Sequence, residues 1–276
     1  MDFTALPAPF LLLLPLLLIA AALEGWYLQR HDARGYDWRG YAASFGDLVG
    51  RFIVNRLLGA GIAGVVLAFA YRHRIATIHM HHVWSWVALL LLQDFFYYWT
   101  HRADHRVHWL WATHSVHHSP NRYTLAAAYR LGWTGKISGG AILFAPLAFV
   151  GFPVPAIAAA VALNLLYQFW LHTELIPGLG PLEWIFNTPA HHRVHHASNA
   201  AYIDKNYGGV LIVFDRLFGT YAEEAADEPC RYGLVTPLHS NNPLIIATHG
   251  WMKLGQALRG ARSWRGYWAA VFGPPG

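Results

Sequence analysis

What this chain can fold into is narrowed most by the solvent that its long apolar runs demand. Five such runs punctuate it: Pro9 to Leu28, about Ile53 to Tyr71, Val83 to Trp99, Ile137 to Phe152 and Val154 to Leu171. With 55% hydrophobic and only 13% charged residues in 276, the sequence is too apolar for an ordinary water-soluble domain. Runs of this length suit a bilayer. In hydrocarbon every backbone N–H and C=O must find its partner within the protein, so the spans must be helices. The expected fold is all-α: a multi-pass membrane helical bundle of four to five spans.

The segments between the runs give the topology. The first run is broken by Pro15 and closed by Glu24, Gly25 and the interfacial pair Trp26 and Tyr27. The start Met1-Asp-Phe-Thr4 carries no Lys or Arg, which argues for a retained span over a signal peptide. Arg30, Arg34, Arg39, Arg51 and Arg56 mark the segment from Arg30 to Arg56 as polar and cytoplasmic, with the N-terminus outside. Gly59, Gly61 and Gly64 in the second run favour close helix packing. The next loop, with Arg72, Arg74, His79, His81 and His82, then faces outside. Gly151-Phe-Pro153-Val-Pro155 reads as the turn of a helical hairpin. Because a hairpin crosses twice, His101 to His118 and His172 to His196 emerge on one side. From Pro177 onward no segment is apolar enough to span, so this part, including Asp204 to Thr220, should form a cytosolic helical cap over that side.

The polar segments are dense in imidazole. His101 and His105 lie four apart, and His114, His117, His118 repeat the H-x-x-H-H spacing of His192, His195, His196. On helices each set shares one face. Eight histidines exceed what one mononuclear site can use, so two metals with four or five nitrogens apiece are expected, and iron is the choice that suits an open position for oxygen. His172, four residues after Gln168 at the end of the fifth run, is a ninth candidate. Asp94, Asp104 and Glu174 are placed to accept from ligand rings, and Gln168 joins them as a neighbour. Asp94 lies within an apolar span, where a charge normally has a functional partner. His79, His81 and His82, and likewise His108, His239 and His249, read as interfacial or core histidines. His191, roughly 100° around a helix from His192, is at most a neighbour of the ligands.

Other classes fit less well. The net charge of +5 comes from basic residues scattered among Trp and Tyr at the ends of apolar runs, a placement for lipid headgroups rather than nucleic acid. Cys230, the single cysteine, excludes a disulfide framework or a Cys-based zinc ribbon. No H-E-x-x-H motif is present, although a membrane zinc hydrolase and a non-catalytic metal-binding membrane protein remain as rivals.

Three stretches carry a family resemblance: Asp94-Phe-Phe-Tyr-Tyr-Trp-Thr-His-Arg-Ala-Asp-His105, His114-Ser-Val-His-His118 and His192-Arg-Val-His-His196. They resemble the fatty acid hydroxylase/sterol desaturase superfamily of membrane di-iron oxygenases. Within it, Asn164 to Glu174, Gly180 to His196, Ile203 to Gly209 and Asp215 to Thr220 most resemble alkylglycerol monooxygenase-like members, which use tetrahydrobiopterin to cleave glyceryl ethers. The likeness covers residues 83–243 of what reads as a single domain over 1–276. It implies two irons held by His101, His105, His114, His117, His118, His192, His195 and His196, with His172 in a matching additional position. It also implies O2, an electron donor or redox partner, and a membrane lipid (fatty acyl, sterol or alkyl-glycerol ether chain) hydroxylated at an unactivated C–H. Apart from the resemblance, Trp99, Trp109, Trp111, Tyr123 and Trp170 either line a lipid entrance or form an interfacial aromatic belt. The chain departs from the ether-cleaving pattern after the second motif, where those relatives carry acidic residues and it has Pro120, Asn121 and Arg122. The tail Val271-Phe-Gly-Pro-Pro275 resembles bacterial members, which implies an inner-membrane protein; the cytoplasmic placing of Arg30 to Arg56 puts the metal face on the cytoplasmic side.

Overall fold

A computed structural model describes residues 8–275, with side chains from Leu12 onward. The first four residues, on which the reading against a signal peptide rests, lie outside them. Twelve α-helices account for the described fold: α1 (Ala8–His31), α2 (Trp38–Leu58), α3 (Gly61–Arg72), α4 (Val83–Arg106), α5 (His108–His114), α6 (Gly135–Ser138), α7 (Ala145–Val150), α8 (Val154–Phe169), α9 (Pro189–His195), α10 (Val213–Phe218), α11 (Pro243–Gly260) and α12 (Trp264–Phe272). Extended pairing among the described residues is limited to two isolated bridges, Phe186 with Leu211 and Ala197 with Tyr232.

The apolar runs become helices, but not all become straight spans. By length and composition one described helix, over Leu12–His31, can cross a bilayer alone, and α2 with α3 qualifies only as a pair bent by 50°. The bend falls at Gly59 and Gly61, both at positive φ, where the Lys136 ammonium donates to the carbonyls of Asn55 and Gly59 and so satisfies the end of α2. The run from Ile137 to Phe152, expected as one span, is split: α6 ends at Gly139 in the left-handed region, a 3-10 segment follows over Gly140–Phe144, and α7 starts afresh with Pro146 in its first turn. Helix α8, at 16 residues, is about 24 Å long, short of a full hydrocarbon core.

Helix α2 corrects the reading of Arg30 to Arg56 as a merely polar connection. Ser44, Asp47, Arg51 and Asn55 fall on one stripe and are buried, whereas Phe45, Val49, Phe52, Ile53 and Leu57 face outward. The stripe is inside out for a water-soluble helix and natural for one whose outer face meets lipid. Inside, the Asp47 carboxylate accepts from Leu131 N (3.0 Å), and Arg130 donates to Ser44 and to the Gly40 carbonyl.

Packing brings distant ends together. Leu67, Leu89, Phe144, Leu147, Phe152 and Ile157 form the main apolar cluster, where α3, α4, α7 and α8 meet. The hairpin turn is where expected: Gly151 (φ 129°) approaches Ala76 so closely that no side chain would fit, and Ile78 N donates to its carbonyl. At the opposite end Glu24 of α1 accepts from Thr173 Oγ1 (2.5 Å) and from Leu125 N (2.6 Å). Glu24 thereby ties α1 to the turn after α8, while α10 packs against α4, and α11 against α2 and α5.

Candidate metal centre

Helix α4 presents His101 and His105 from successive turns near its C-terminus. His114 ends α5, and His117 and His118 follow in a turn held by His117 N donating to His114 O, rather than on the continuous helix that the spacing suggested. His172 sits in the turn after α8, while His192 and His195 lie on the seven-residue helix α9, with His196 at its end. All nine meet. His101, His105, His114, His118 and His195 form one group, and His117, His172, His192 and His196 another, with the candidate ligand atoms of each within 4.8 Å of one another.

Backbone carbonyls set the direction of four rings. His101 Nδ1 donates to Tyr207 O (2.8 Å), His195 Nδ1 to Lys205 O (2.9 Å), His117 Nδ1 to Arg130 O (3.2 Å) and His172 Nδ1 to Gln168 O (2.8 Å). A carbonyl can only accept, so each of these rings carries its proton on Nδ1 and turns a bare Nε2 lone pair inward. His117 Nε2 and His172 Nε2 then face each other at 3.2 Å with no proton between them. Close Nε2 pairs recur between His172 and His192 (3.2 Å) and between His101 and His114 (3.1 Å). The Nε2 atoms of His105, His195 and His196 are buried without a hydrogen-bond partner. Lone pairs gathered in this way repel one another unless a cation lies among them, so the donor set fits two metal ions. Burial holds the rings well below the usual imidazole range, His117 down to about 4, which keeps them in the neutral form that a ligand needs.

The carboxylates divide by role. Asp104 Oδ2 lies 4.0 Å from His114 Nδ1, beyond hydrogen-bond reach of the ring. Asp94 meets no ring: it accepts from Val210 N and Leu211 N (2.9 Å each) and from Asn164 Nδ2 (2.8 Å), pinning the chain just after the carbonyls that orient His101 and His195. Gln168 orients His172 through its carbonyl, while its side chain accepts from Tyr97 Oη (3.0 Å) and donates to Asn164. Glu174 turns away to Arg34 (3.4 Å), drawn to a cation at the helix ends rather than to an imidazole.

Three residues with structural leverage escaped sequence reasoning. Asp204, at φ 62°, brings Oδ1 to 3.8 Å from His105 Nδ1 and pairs with Arg106 (2.6 Å). Asp215 accepts from Tyr207 N (2.8 Å), Gly208 N (2.7 Å) and Thr220 Oγ1 (2.7 Å). Asn206, at φ 55°, bonds to His191 O and Ala222 O. The stretches Ile203 to Gly209 and Asp215 to Thr220, quoted above only for the resemblance, are their signal in the sequence; their work is to hold carbonyls still. Arg122, at the departure from the ether-cleaving pattern, donates to Asp32 and Gly35 O and ties down the loop between α1 and α2. His191 faces Tyr221, and His79, His81 and His82 cluster near the hairpin end, far along α4 from the centre.

A cavity of about 490 Å³ reaches His101, His114, His117 and His172 from between α1, α2 and α8. Its apolar wall comes from Leu17, Leu18, Phe45, Val49, Phe52 and Phe169. None of Trp99, Trp109, Trp111, Tyr123 and Trp170, expected at the entrance, lines it. Trp111 packs against His105 and His118 instead, and Tyr123 against His172 and His196.

Residues 86–220 match the fatty acid hydroxylase family. Alkylglycerol monooxygenase of Xenopus tropicalis is 39% identical over 76% of this chain and 48% of its own length, and that of Homo sapiens 47% identical over 60% and 36%. Ornithine lipid hydroxylase OlsE of Rhizobium tropici is 32% identical over 48% of this chain and 40% of its own. The chain thus spans half or less of each of these curated relatives. No solved structure matches it. Through residues 86–220, which contain all nine clustered histidines, the chain belongs to the fatty acid hydroxylase family.

Proposed function

We propose that this chain is a membrane di-iron monooxygenase that uses O2 to hydroxylate an unactivated C–H of a lipid chain. What carries the reading is one juxtaposition: two facing groups of imidazole lone pairs, of five and four rings, at the inner end of an apolar cavity. His101, His105, His114, His118 and His195 would hold one iron, and His117, His172, His192 and His196 the other. Bound iron supplies the activation of O2, with two electrons drawn from a donor or redox partner. The overall change is insertion of one oxygen atom into C–H, the second leaving as water.

The chain's own residues set the conditions. The carbonyls of residues 130, 168, 205 and 207 aim four of the nine rings into the centre, the orientation that ligation needs. The leucine and phenylalanine wall takes an alkyl chain and keeps water from the reacting carbon. If that carbon bears an ether oxygen, the hydroxylated product is a hemiacetal, which collapses to an aldehyde and an alcohol. Hydroxylation and ether cleavage are then one reaction on two substrates.

The same reading gives a topology in which α1, the bent pair α2–α3, α4, the broken segment 140–150 and α8 traverse or enter the bilayer. The arginines around the α1–α2 loop would keep the metal face cytoplasmic.

Metal analysis of protein purified from membranes should give about two irons per chain. Oxygen uptake with reductant should depend on added alkylglycerol or fatty acyl lipid. Zinc in place of iron, or iron without lipid-dependent oxygen uptake, would sink the proposal.

A further inference from the structure

Helix α1 lies wholly outside residues 86–220, and apolar packing accounts for its docking: Leu14, Leu18 and Ala21 meet Ala126 and Tyr129. Glu24 does not fit that account. It is 5% exposed and lies on the same buried stripe as Ala21 and Leu28. A carboxylate is a costly group to bury where apolar contact already holds the helix. Both of its oxygens are used: Oε1 accepts from Thr173 Oγ1 (2.5 Å) and Oε2 from Leu125 N (2.6 Å).

The segments those donors belong to give the contact its meaning. Thr173 follows His172 directly, and its carbonyl accepts from Arg193 Nη1 (3.4 Å), the chain neighbour of His192. Leu125 opens the 3-10 turn Leu125–Ala127, and Arg130 N donates to Ala127 O, so this turn leads straight to the carbonyl that orients His117. Just before it, Tyr123 donates its hydroxyl to Leu171 O and packs its ring on His172 and His196. The two segments that Glu24 joins thus carry or brace all four rings of the group His117, His172, His192 and His196. The carbonyls of Tyr207 and Lys205, which orient His101 and His195, lie on neither segment.

We infer that Glu24 is a positioning residue for the four-histidine metal site, so that the first span is a working part of that site. It acts through Thr173 and Leu125, by holding residues 123–130 and 171–173 in register with each other. The inference rests on the two-metal reading and adds a separate carboxylate support for each ion: Asp94 for the five-ring group, Glu24 for the four-ring group.

The test strips the full chain with chelator, reloads it with Co(II) at buffered free-metal levels and counts bound ions by elemental analysis. Wild type should hold about two. Glu24→Ala should weaken one site about 10- to 100-fold. Glu24→Gln, whose carbonyl can face Leu125 N and whose amide can face Thr173 Oγ1, should recover most of that affinity. Two backgrounds assign the site. With the four-ring group already disabled by His172→Ala, adding Glu24→Ala should leave the remaining site within about twofold; with the five-ring group disabled by His195→Ala, it should weaken the remaining site about 10- to 100-fold. Thr173→Val removes only the Oγ1 contact, should weaken the same site, and serves if Glu24→Ala does not fold. The inference is overturned if these variants lower thermal stability yet hold two Co(II) with wild-type affinity, if the loss falls on the five-ring group, or if Glu24→Gln loses as much as Glu24→Ala. Because Co(II) is counted without oxygen or lipid, failure of the oxygenase reading would show separately, as intact metal binding with no lipid oxidation by the iron-loaded protein.

Discussion

Asp94 offers the sharpest test of how the metal centre is held. It touches no histidine, yet its two oxygens hold Val210 N and Leu211 N, and Asn164 binds one of them as well. Asp94→Ala orphans two part-buried backbone donors at no more than about 1–3 kcal/mol each, so a loss of up to roughly 2–6 kcal/mol follows, within what a folded domain can survive. The damage is not spread evenly. The segment that Asp94 anchors carries the carbonyls of Lys205 and Tyr207, which orient His195 and His101, both in the five-histidine group. The four-histidine group takes its orientation from Gln168 and Arg130. Metal affinity at the first group should fall about 10- to 100-fold, and iron per chain should drop from about two toward about one under limiting metal. Asp94→Asn keeps the shape and one accepting oxygen but sets an amide against the second N–H, so it should lie between, at about 1–3 kcal/mol. Iron content and thermal unfolding measured on the same samples decide the matter. Retention of two tightly held irons by Asp94→Ala would refute the claim that this carboxylate supports the centre through the 203–211 segment.

Other expectations follow from the same geometry. His172→Ala should empty the four-histidine group selectively, whereas His191→Ala, beside Tyr221 and outside both groups, should leave metal content within about twofold of wild type by elemental analysis. Gly151→Ala places a Cβ 2.4 Å from Ala76 O at φ 129°, and thermal unfolding should register a loss of at least about 2 kcal/mol. A thiol introduced by Phe52→Cys on the outward face of α2 should react slowly with charged and bilayer-soluble maleimides alike, because a thiol facing lipid does not ionise. The native Cys230 should stay silent in that assay, because burial pushes its thiol up to about 12. Rapid labelling at position 52 by a charged reagent would place that face in water.

Much of the centre was legible in the chain because metal ligation uses side chains with a fixed identity and spacing. His101 and His105 at i, i+4, and the twice-repeated H-x-x-H-H, mark rings that can share a face. The weaker signal at His172 marks a residue that closes the four-ring group. Periodicity could not say which ring joins which group, since the second motif splits, His114 and His118 going one way and His117 the other. Nor could it find the orienting acceptors: four of them are main-chain carbonyls, and every residue has one.

The length and apolarity of its runs determined by themselves that this chain is helical, because a backbone in lipid has few other ways to satisfy its polar groups. Which way those helices face was decided only in the tertiary structure. Helix α2 reads as a polar connection because its charges are real, yet Asp47 and Arg51 point inward and Phe52 outward. An amphipathic pattern fixes a stripe; the solvent on each side, water or lipid outside and a polar cavity within, decides which stripe is buried. The same holds for Glu24, which reads as the end of an apolar run and in the fold joins α1 to the residue after His172. Local sequence supplies the groups, and only the packing of segments 84 to 149 residues apart gives Asp47 and Glu24 their partners.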